Sequence, residues 1–261
     1  MEDLMMSEIL IEKKEKIGFI ILNRPEWQNT FNLPFARKLN DSLKQMDMDD
    51  EVRVIIIKAN GKNFSTGIDL KEFGGKTHEE YREMIKIMDE HNHTISQMKK
   101  PVIAQVQGYA LANGAGLVFA CDMAVASESA KFGTTAINVG LICLGPALPL
   151  SKLVGKKKVL EMVLTGEIMD AQEAYQIGLV NRVVPDERLE AETLSLANIL
   201  ASKSPLALQT GKQGIYKMQD IPYHQAVDYM SELFASLAST EDAQEGIKAF
   251  IEKRPPKFKG I

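Results

Sequence analysis

Two cysteines, Cys121 and Cys143, are all that the 261 residues contain, and their spacing suits neither a disulfide framework nor a thiolate metal site. Both are expected to be reduced and structural. A basic excess is also lacking: 31 Lys and Arg stand against 35 Asp and Glu, a formal charge of -4, whereas binding a phosphate backbone needs a concentrated basic face. The run Lys156, Lys157, Lys158 is too short to supply one, so no nucleic-acid partner is expected. No apolar stretch approaches the ~20 residues of a membrane span, and residues 1–20 are acidic and charged rather than signal-like. A cytoplasmic chain without membrane contact is the expectation. Internal repeats and low-complexity tracts are absent. What is present is the composition of an ordinary enzyme, 45% hydrophobic and 25% charged, enough for one large domain or a domain with an appended helical piece.

Runs of β-type residues at 9–14 and 17–22 flank Glu15 and Lys16 and predict an opening hairpin. Ala36, Leu39, Leu43 and Met46 recur at helical spacing before a buried-strand run at 54–59. After the Gly74-Gly75 break, Thr77 with Glu80 forms a capping-box signature. Tyr81, Met84, Ile85, Met88, Ile95 and Met98 then mark one face of a long helix. Further strands are expected at 102–106, 121–126 and 179–184, with Gly178 as a helix stop. From Pro146 onward the pattern is mainly helical, and three or four helices fill 189–251, one opened by Ser204 and Pro205.

The stretch 101–122 reads as a buried strand feeding a turn into a helix, with Gly108, Gly114 and Gly116 interrupting an otherwise apolar run. Free N–H groups and the positive helix end there suit an anion or a developing oxyanion, although a plain packing turn has the same pattern. The 54–59 strand ends in a second such turn, Asn63-Phe64-Ser65-Thr66-Gly67-Ile68-Asp69-Leu70, and two turns suggest a paired site.

Three other features carry less. Gly74-Gly75-Lys76-Thr77 ends like a phosphate loop, but Leu70 stands where the pattern needs glycine. Ser65 is one glycine short of a nucleophile elbow and reads as a turn former. His91 and His93 are two apart on a helix, about 200° around its axis, and cannot share one metal ion. His91 and Asn92 are expected as satisfied core polar groups rather than site-lining ones.

The F-S-T-G-x-D-L segment at 64–70 and the G-Y-A-L-x-x-G segment at 108–114 together resemble the crotonase (enoyl-CoA hydratase/isomerase) superfamily. Supporting pieces follow in order along nearly the whole chain: Asn23-Arg24-Pro25, Lys131-Phe132-Gly133, Leu164-Thr165-Gly166, Gly178-Leu179-Val180 and the closing Phe250 to Arg254. Sequence spacing by itself supports only mixed α and β. The resemblance implies an α/β spiral of ββα repeats over 1–188 and a C-terminal helical region, 189–261, that mediates assembly into homotrimers or hexamers. It also implies an acyl-CoA thioester substrate, with coenzyme A carried by the substrate and no permanently bound cofactor or metal. The backbone amides of Ile68 and Asn113 would form an oxyanion hole for a thioester enolate. Ser65, Thr66, Gly67, Ile68, Asp69, Leu70, Asn113 and Gly114 would line the bound thioester.

One departure bears on mechanism. Hydratases of the superfamily carry two glutamates, and matching the motifs places Gly116 and Ala136 where they would stand. Hydration needs a base for water and an acid for the α-carbon, and neither residue can be either. Substitute side chains are limited to Asp69, more readily a structural loop carboxylate, an Asp89–His93 pair at i,i+4 spacing that more readily reads as a solvated helix face, and Cys143. The readings are an enzyme of the hydratase/isomerase type with proton-transfer groups from elsewhere, a decarboxylase or other non-hydratase activity, and a catalytically silent CoA-thioester-binding or scaffolding protein.

Overall fold

A computed structural model describes residues 7–261; residues 1–6, part of the charged opening stretch and of the expected first domain, lie outside the described residues. The hairpin forms as β1 (Ile9–Lys14) and β2 (Ile17–Leu22), antiparallel, with Ile9 opposite Leu22 and Lys14 opposite Ile17. To β2 are added, all parallel, β3 (Val54–Ala59), β4 (Val102–Val106), β6 (Met123–Ser127) and β9 (Arg182–Val184), giving the order β1-β2-β3-β4-β6-β9. A smaller sheet holds β5 (Tyr109–Leu111), β7 (Lys131–Gly133) and β8 (Ile168–Asp170). Successive passes place one strand in each sheet, as β4 with β5 and β6 with β7. The turn after β3 joins the small sheet through a single bridge between Ser65 and Ala110. This is the expected ββα spiral.

Both faces of the large sheet are covered, because alternate side chains point opposite ways. Ile20, Leu22, Ile55, Ile57, Val102 and Ala104 join the main core with Leu39 and Leu43 of α1 (Leu33–Met48) and Met84 and Met88 of α2 (His78–Gln97). Ile17, Phe19, Ile21, Val54, Ile56, Ile103 and Val125 face the other way and meet Leu189, Ala197 and Ala201 of α7 (Leu189–Ala201). The first helix after residue 188 thus completes the sheet. Thr77 and Glu80 form the capping box of α2. Ile85, expected on the buried face, is 37% exposed, since it falls on the flank of the stripe set by Met84, Met88, His91 and Ile95.

Helix α3 (Asn113–Ala120) is buried along its whole length and is followed by α4 (Leu144–Leu153), α5 (Lys156–Thr165) and α6 (Ala171–Gln176). The chain closes with α8 (Pro205–Met218), α9 (Tyr223–Ala238) and α10 (Glu241–Ile251). No residue of α9 is buried, and Val227 and Phe234 are exposed. No helix is long and apolar enough to cross a membrane, and no group of three His, Cys, Asp or Glu side chains clusters for a metal among the described residues.

Candidate active site at two interlocked turns

The two glycine turns touch. Gly67 has φ +102°, and a Cβ there would stand 2.8 Å from the Ala112 methyl and 3.7 Å from the Asn113 amide nitrogen. A Cβ on Gly114 would stand 2.3 Å from the Ser65 carbonyl oxygen. Each turn therefore carries glycine where the other presses on its backbone. Ser65 is fully buried and its hydroxyl donates to the Asn29 carbonyl at 2.8 Å, which makes it a positioning residue and no nucleophile.

Around Ile68 the amides are distributed selectively. Thr66 N donates to Gln28 O at 3.2 Å and Asp69 N to Phe31 O at 2.8 Å, while Phe31 N donates to Gly67 O at 2.8 Å. Ile68 N has no acceptor among the described residues. Asn113 is the first residue of α3, so its N–H has no intrahelical acceptor, and none is found elsewhere among the described residues. The preceding Ala112 takes φ +47° and ψ -119°, a conformation that costs a non-glycine residue roughly 1–3 kcal/mol. Its N–H is tied to Gly133 O at 2.8 Å, so strained backbone turns Asn113 N–H out at the helix start. Two free donors at adjoining turns, one at the positive end of a helix, are what a developing oxyanion requires.

Asp89 is tied to this point through the Asn113 side chain. Its Oδ1 accepts from Asn113 Nδ2 at 2.8 Å, and a Cβ on Gly145 would lie 2.1 Å from its Oδ2, so the carboxyl is clamped between α3 and α4. Burial pushes Asp89 up to about 6, against a smaller lowering by the Asn113 hydrogen bond. The candidate Asp89–His93 pair does not form: His93 is exposed, and Asn113 is the partner of Asp89 instead. His93 and Asp89 do line the same cavity of about 710 Å³, mostly apolar, between α2, α4 and α8.

The remaining candidates divide by environment. Asp69 caps the Lys71 amide at 3.1 Å and faces Arg24 at 3.7 Å, so its carboxylate is held as a loop fastener. Cys143 is buried at the start of α4; burial, together with the nearby Asp89 charge, raises its thiol, against a hydrogen bond from the Ala136 backbone. A thiolate is therefore disfavoured. Leu70 is exposed at the rim. Ala136 is half-buried on the short turn Thr135–Val139. Gly116 faces Pro146, whose Cγ, Cβ and Cα would lie 2.9, 3.1 and 3.2 Å from an added Cβ.

His91 is not the satisfied core residue expected. It is 3% exposed, packs 5.9 Å from the Phe31 ring, and its Nε2 has no partner among the described residues, as is true of Asn92 Oδ1. Burial lowers His91 to about 4, against a hydrogen bond from its ring to the Met88 backbone carbonyl that raises it. The unfolded imidazole titrates near 6.5, so the stability this group contributes is complete above that pH and is lost as pH falls toward 4. Asp89 has the opposite sign. Its folded value lies above the unfolded 3.8, so its contribution is present at low pH and is lost as pH rises toward 6. The two windows overlap and nearly cancel. In Asp89→Asn only the His91 term remains, and stability should drop by roughly 2–3 kcal/mol more than in the parent between pH 6.5 and 4. Urea unfolding of both proteins at these pH values checks this, and equal pH slopes would refute it.

Fold and site together define a protein of the spiral ββα class with two backbone N–H groups, at adjoining turns, that have no acceptor among the described residues. A sequence model of the enoyl-CoA hydratase/isomerase family matches residues 12–261, and the chain belongs to that family. It is 38% identical over 245 residues to the enoyl-CoA hydratase domain-containing protein 3, mitochondrial, of Mus musculus, covering 94% of this chain and 82% of the relative. It is 36% identical to the 2,3-dehydroadipyl-CoA hydratase of Escherichia coli, covering 98% and 100%. The solved enoyl-CoA hydratase of Mycobacterium smegmatis superposes with a TM-score of 0.94 at 33% identity, over 97% of this chain and 99% of that one.

Proposed function

We propose that the protein binds acyl-CoA thioesters with the thioester oxygen between the Ile68 and Asn113 amides and stabilises an enolate there. The observation that supports this most is that both amides lack a protein acceptor among the described residues where the two turns meet, while the flanking Thr66, Asp69 and Ala112 amides are engaged. Each such donor contributes a factor of ~10² to 10³ when preorganised. Coenzyme A comes with the substrate, and the donors are backbone groups, so the reading calls for no resident metal or cofactor.

The relatives' names point to hydration, but neither Gly116 nor Ala136 can move a proton. We therefore assign the chain to enolate chemistry that does without two glutamates. Loss of carbon dioxide from a malonyl-type thioester is the second reading, favoured by the Pro146 ring standing where a side chain at 116 would go. A silent thioester-binding protein is the third. A panel of enoyl-, dienoyl-, malonyl- and hydroxyacyl-CoAs, scored for both turnover and binding, separates the three. A ligand-bound structure with the thioester away from Ile68 and Asn113 would overturn the shared premise.

We also propose a closed homotrimer or a pair of trimers, acting in the cytoplasm. The support is the apolar surface of the C-terminal helices, with Val227, Phe234, Ile247, Phe250 and Ile251 all exposed; symmetric assembly covers such faces. Light scattering at micromolar concentration should give three or six times the 29.0 kDa chain mass, and a monomer would refute it.

A further inference from the structure

We infer that Asp89 is the proton-transfer group of this site, a single carboxyl that takes a proton from, and returns it to, the carbon next to the thioester carbonyl. This inference rests on the enolate reading above and goes beyond it by naming the residue and the step. Three geometric facts carry it. Asp89 is hydrogen-bonded at 2.8 Å to the side chain of Asn113, the residue whose backbone N–H is one of the two free donors. The absence of a Cβ on Gly145, which would fall 2.1 Å from Oδ2, is what gives the carboxyl its place. Asp89 also lines the wall of the cavity between α2, α4 and α8, so a proton it takes can exchange with solvent.

The surrounding groups leave this carboxyl uncommitted. Asn113 of α3 is a neutral donor, and Cys143 at the start of α4 is a thiol held protonated by burial. Across the cavity Lys212 and Tyr216 of α8 are both bound to Asp122, at 2.7 and 3.1 Å. Lys152 of α4 pairs with Asp220 at 3.2 Å. No cation neutralises Asp89 among the described residues. Burial without a counter-ion raises its proton affinity into the range where a carboxyl both accepts and donates near neutral pH.

The step balances without a co-reactant. The Cα–H bond breaks, the proton goes to an Asp89 carboxylate oxygen, and the electron pair forms the enolate whose oxygen is held by Ile68 and Asn113 N–H. The reverse step delivers a proton to Cα. In a decarboxylation the same carboxyl, entering protonated, supplies the proton that replaces carbon dioxide. One carboxyl cannot also activate water, so hydration stays slow while proton exchange proceeds.

The test is α-deuterium incorporation into butyryl-CoA in D₂O, followed by NMR, for the parent, Asp89→Asn and Asp89→Glu. Asparagine keeps an acceptor for Asn113 Nδ2 but cannot carry the proton. The parent should exchange, with a rate rising with pH through an apparent pKa near 6, and Asp89→Asn should lose ~10² or more of the rate. Butyryl-CoA binding by calorimetry should be retained in Asp89→Asn, and Asp89→Glu should recover part of the exchange. Asp89→Ser provides the same comparison should Asp89→Asn fail to fold. A parent that binds but does not exchange, or exchange undiminished in the folded variants, overturns the role of Asp89 and leaves the oxyanion reading standing. A parent that does not bind butyryl-CoA overturns both.

Discussion

Crotonyl-CoA should be hydrated by the purified protein at least ~10² to 10⁴ times more slowly than by relatives with both glutamates, because losing one general acid or base typically costs that factor. Rates near ~10² per second, within the usual range for efficient enzymes, would show that Gly116 and Ala136 are not the positions that matter. The obvious repair is to put the carboxylates back, and the two positions are not equivalent. Ala136 is half-buried on the short 3-10 helix Thr135–Val139, so Ala136→Glu should fold close to parent stability. Gly116 is buried within α3 against Pro146 of α4, with three atoms of the proline between 2.9 and 3.2 Å from the missing Cβ. Even Pro146→Ala leaves a carbon at 3.1 Å. Gly116→Glu must therefore displace α4 and should cost roughly 1–3 kcal/mol. The double variant should gain little hydratase activity, because α4 also holds the Gly145 backbone against Asp89. Melting temperatures and hydration rates of the three variants check this. A stable Gly116→Glu, Ala136→Glu protein with restored hydration would show that α4 yields more easily than the contacts imply.

The elements that organise this site were legible because their signals are local. Strand periodicity located β1 to β4 closely, and Thr77 with Glu80 fixed the start of α2. The two turns could be found from Gly67 and Gly114, since close backbone approach demands glycine and glycine is visible in a sequence. The strained Ala112 left no such sign; nothing about alanine announces a positive φ. Side-chain partners were less accessible still. Asp89 sits four residues from His93, and helical spacing offered that pair, but packing of α3 against α2 places Asn113, 24 residues away, at the carboxyl. His91 has the right spacing for a buried face, yet whether its Nε2 finds a partner depends on Phe31 and elements from elsewhere in the chain. The resemblance singled out Gly116, but the sequence did not show the proline that stands where its side chain would go.

Lys212→Met should destabilise the protein by roughly 3–5 kcal/mol, the usual cost of removing one partner from a buried ion pair. Lys212 lies on α8, 6% exposed at its side chain, and its Nζ donates to Asp122 Oδ2 at 2.7 Å and to Lys100 O at 2.9 Å. Asp122 terminates the turn between α3 and β6, 90 residues earlier in the chain. Its Oδ2 also accepts from Val102 N at 2.7 Å, and its Oδ1 from the Tyr216 hydroxyl at 3.1 Å. Burial pushes the Asp122 carboxyl upward, while Lys212 and these hydrogen bonds offset it. With methionine at 212, the carboxylate keeps two neutral donors but no cation, in a site that water hardly reaches. The same contacts hold α8 as one wall of the cavity that Asp89 lines, so the variant should also bind acyl-CoA more weakly. Asp122→Asn combined with Lys212→Met removes both charges and keeps an acceptor for Val102 N. It should recover part of the loss, so the double change costs less than the sum of the two single changes. Urea unfolding of the four proteins in the cycle measures this coupling. A Lys212→Met protein within about 1 kcal/mol of the parent, the range of a solvent-exposed pair, would mean that α8 is held by its apolar contacts and that the ion pair contributes little.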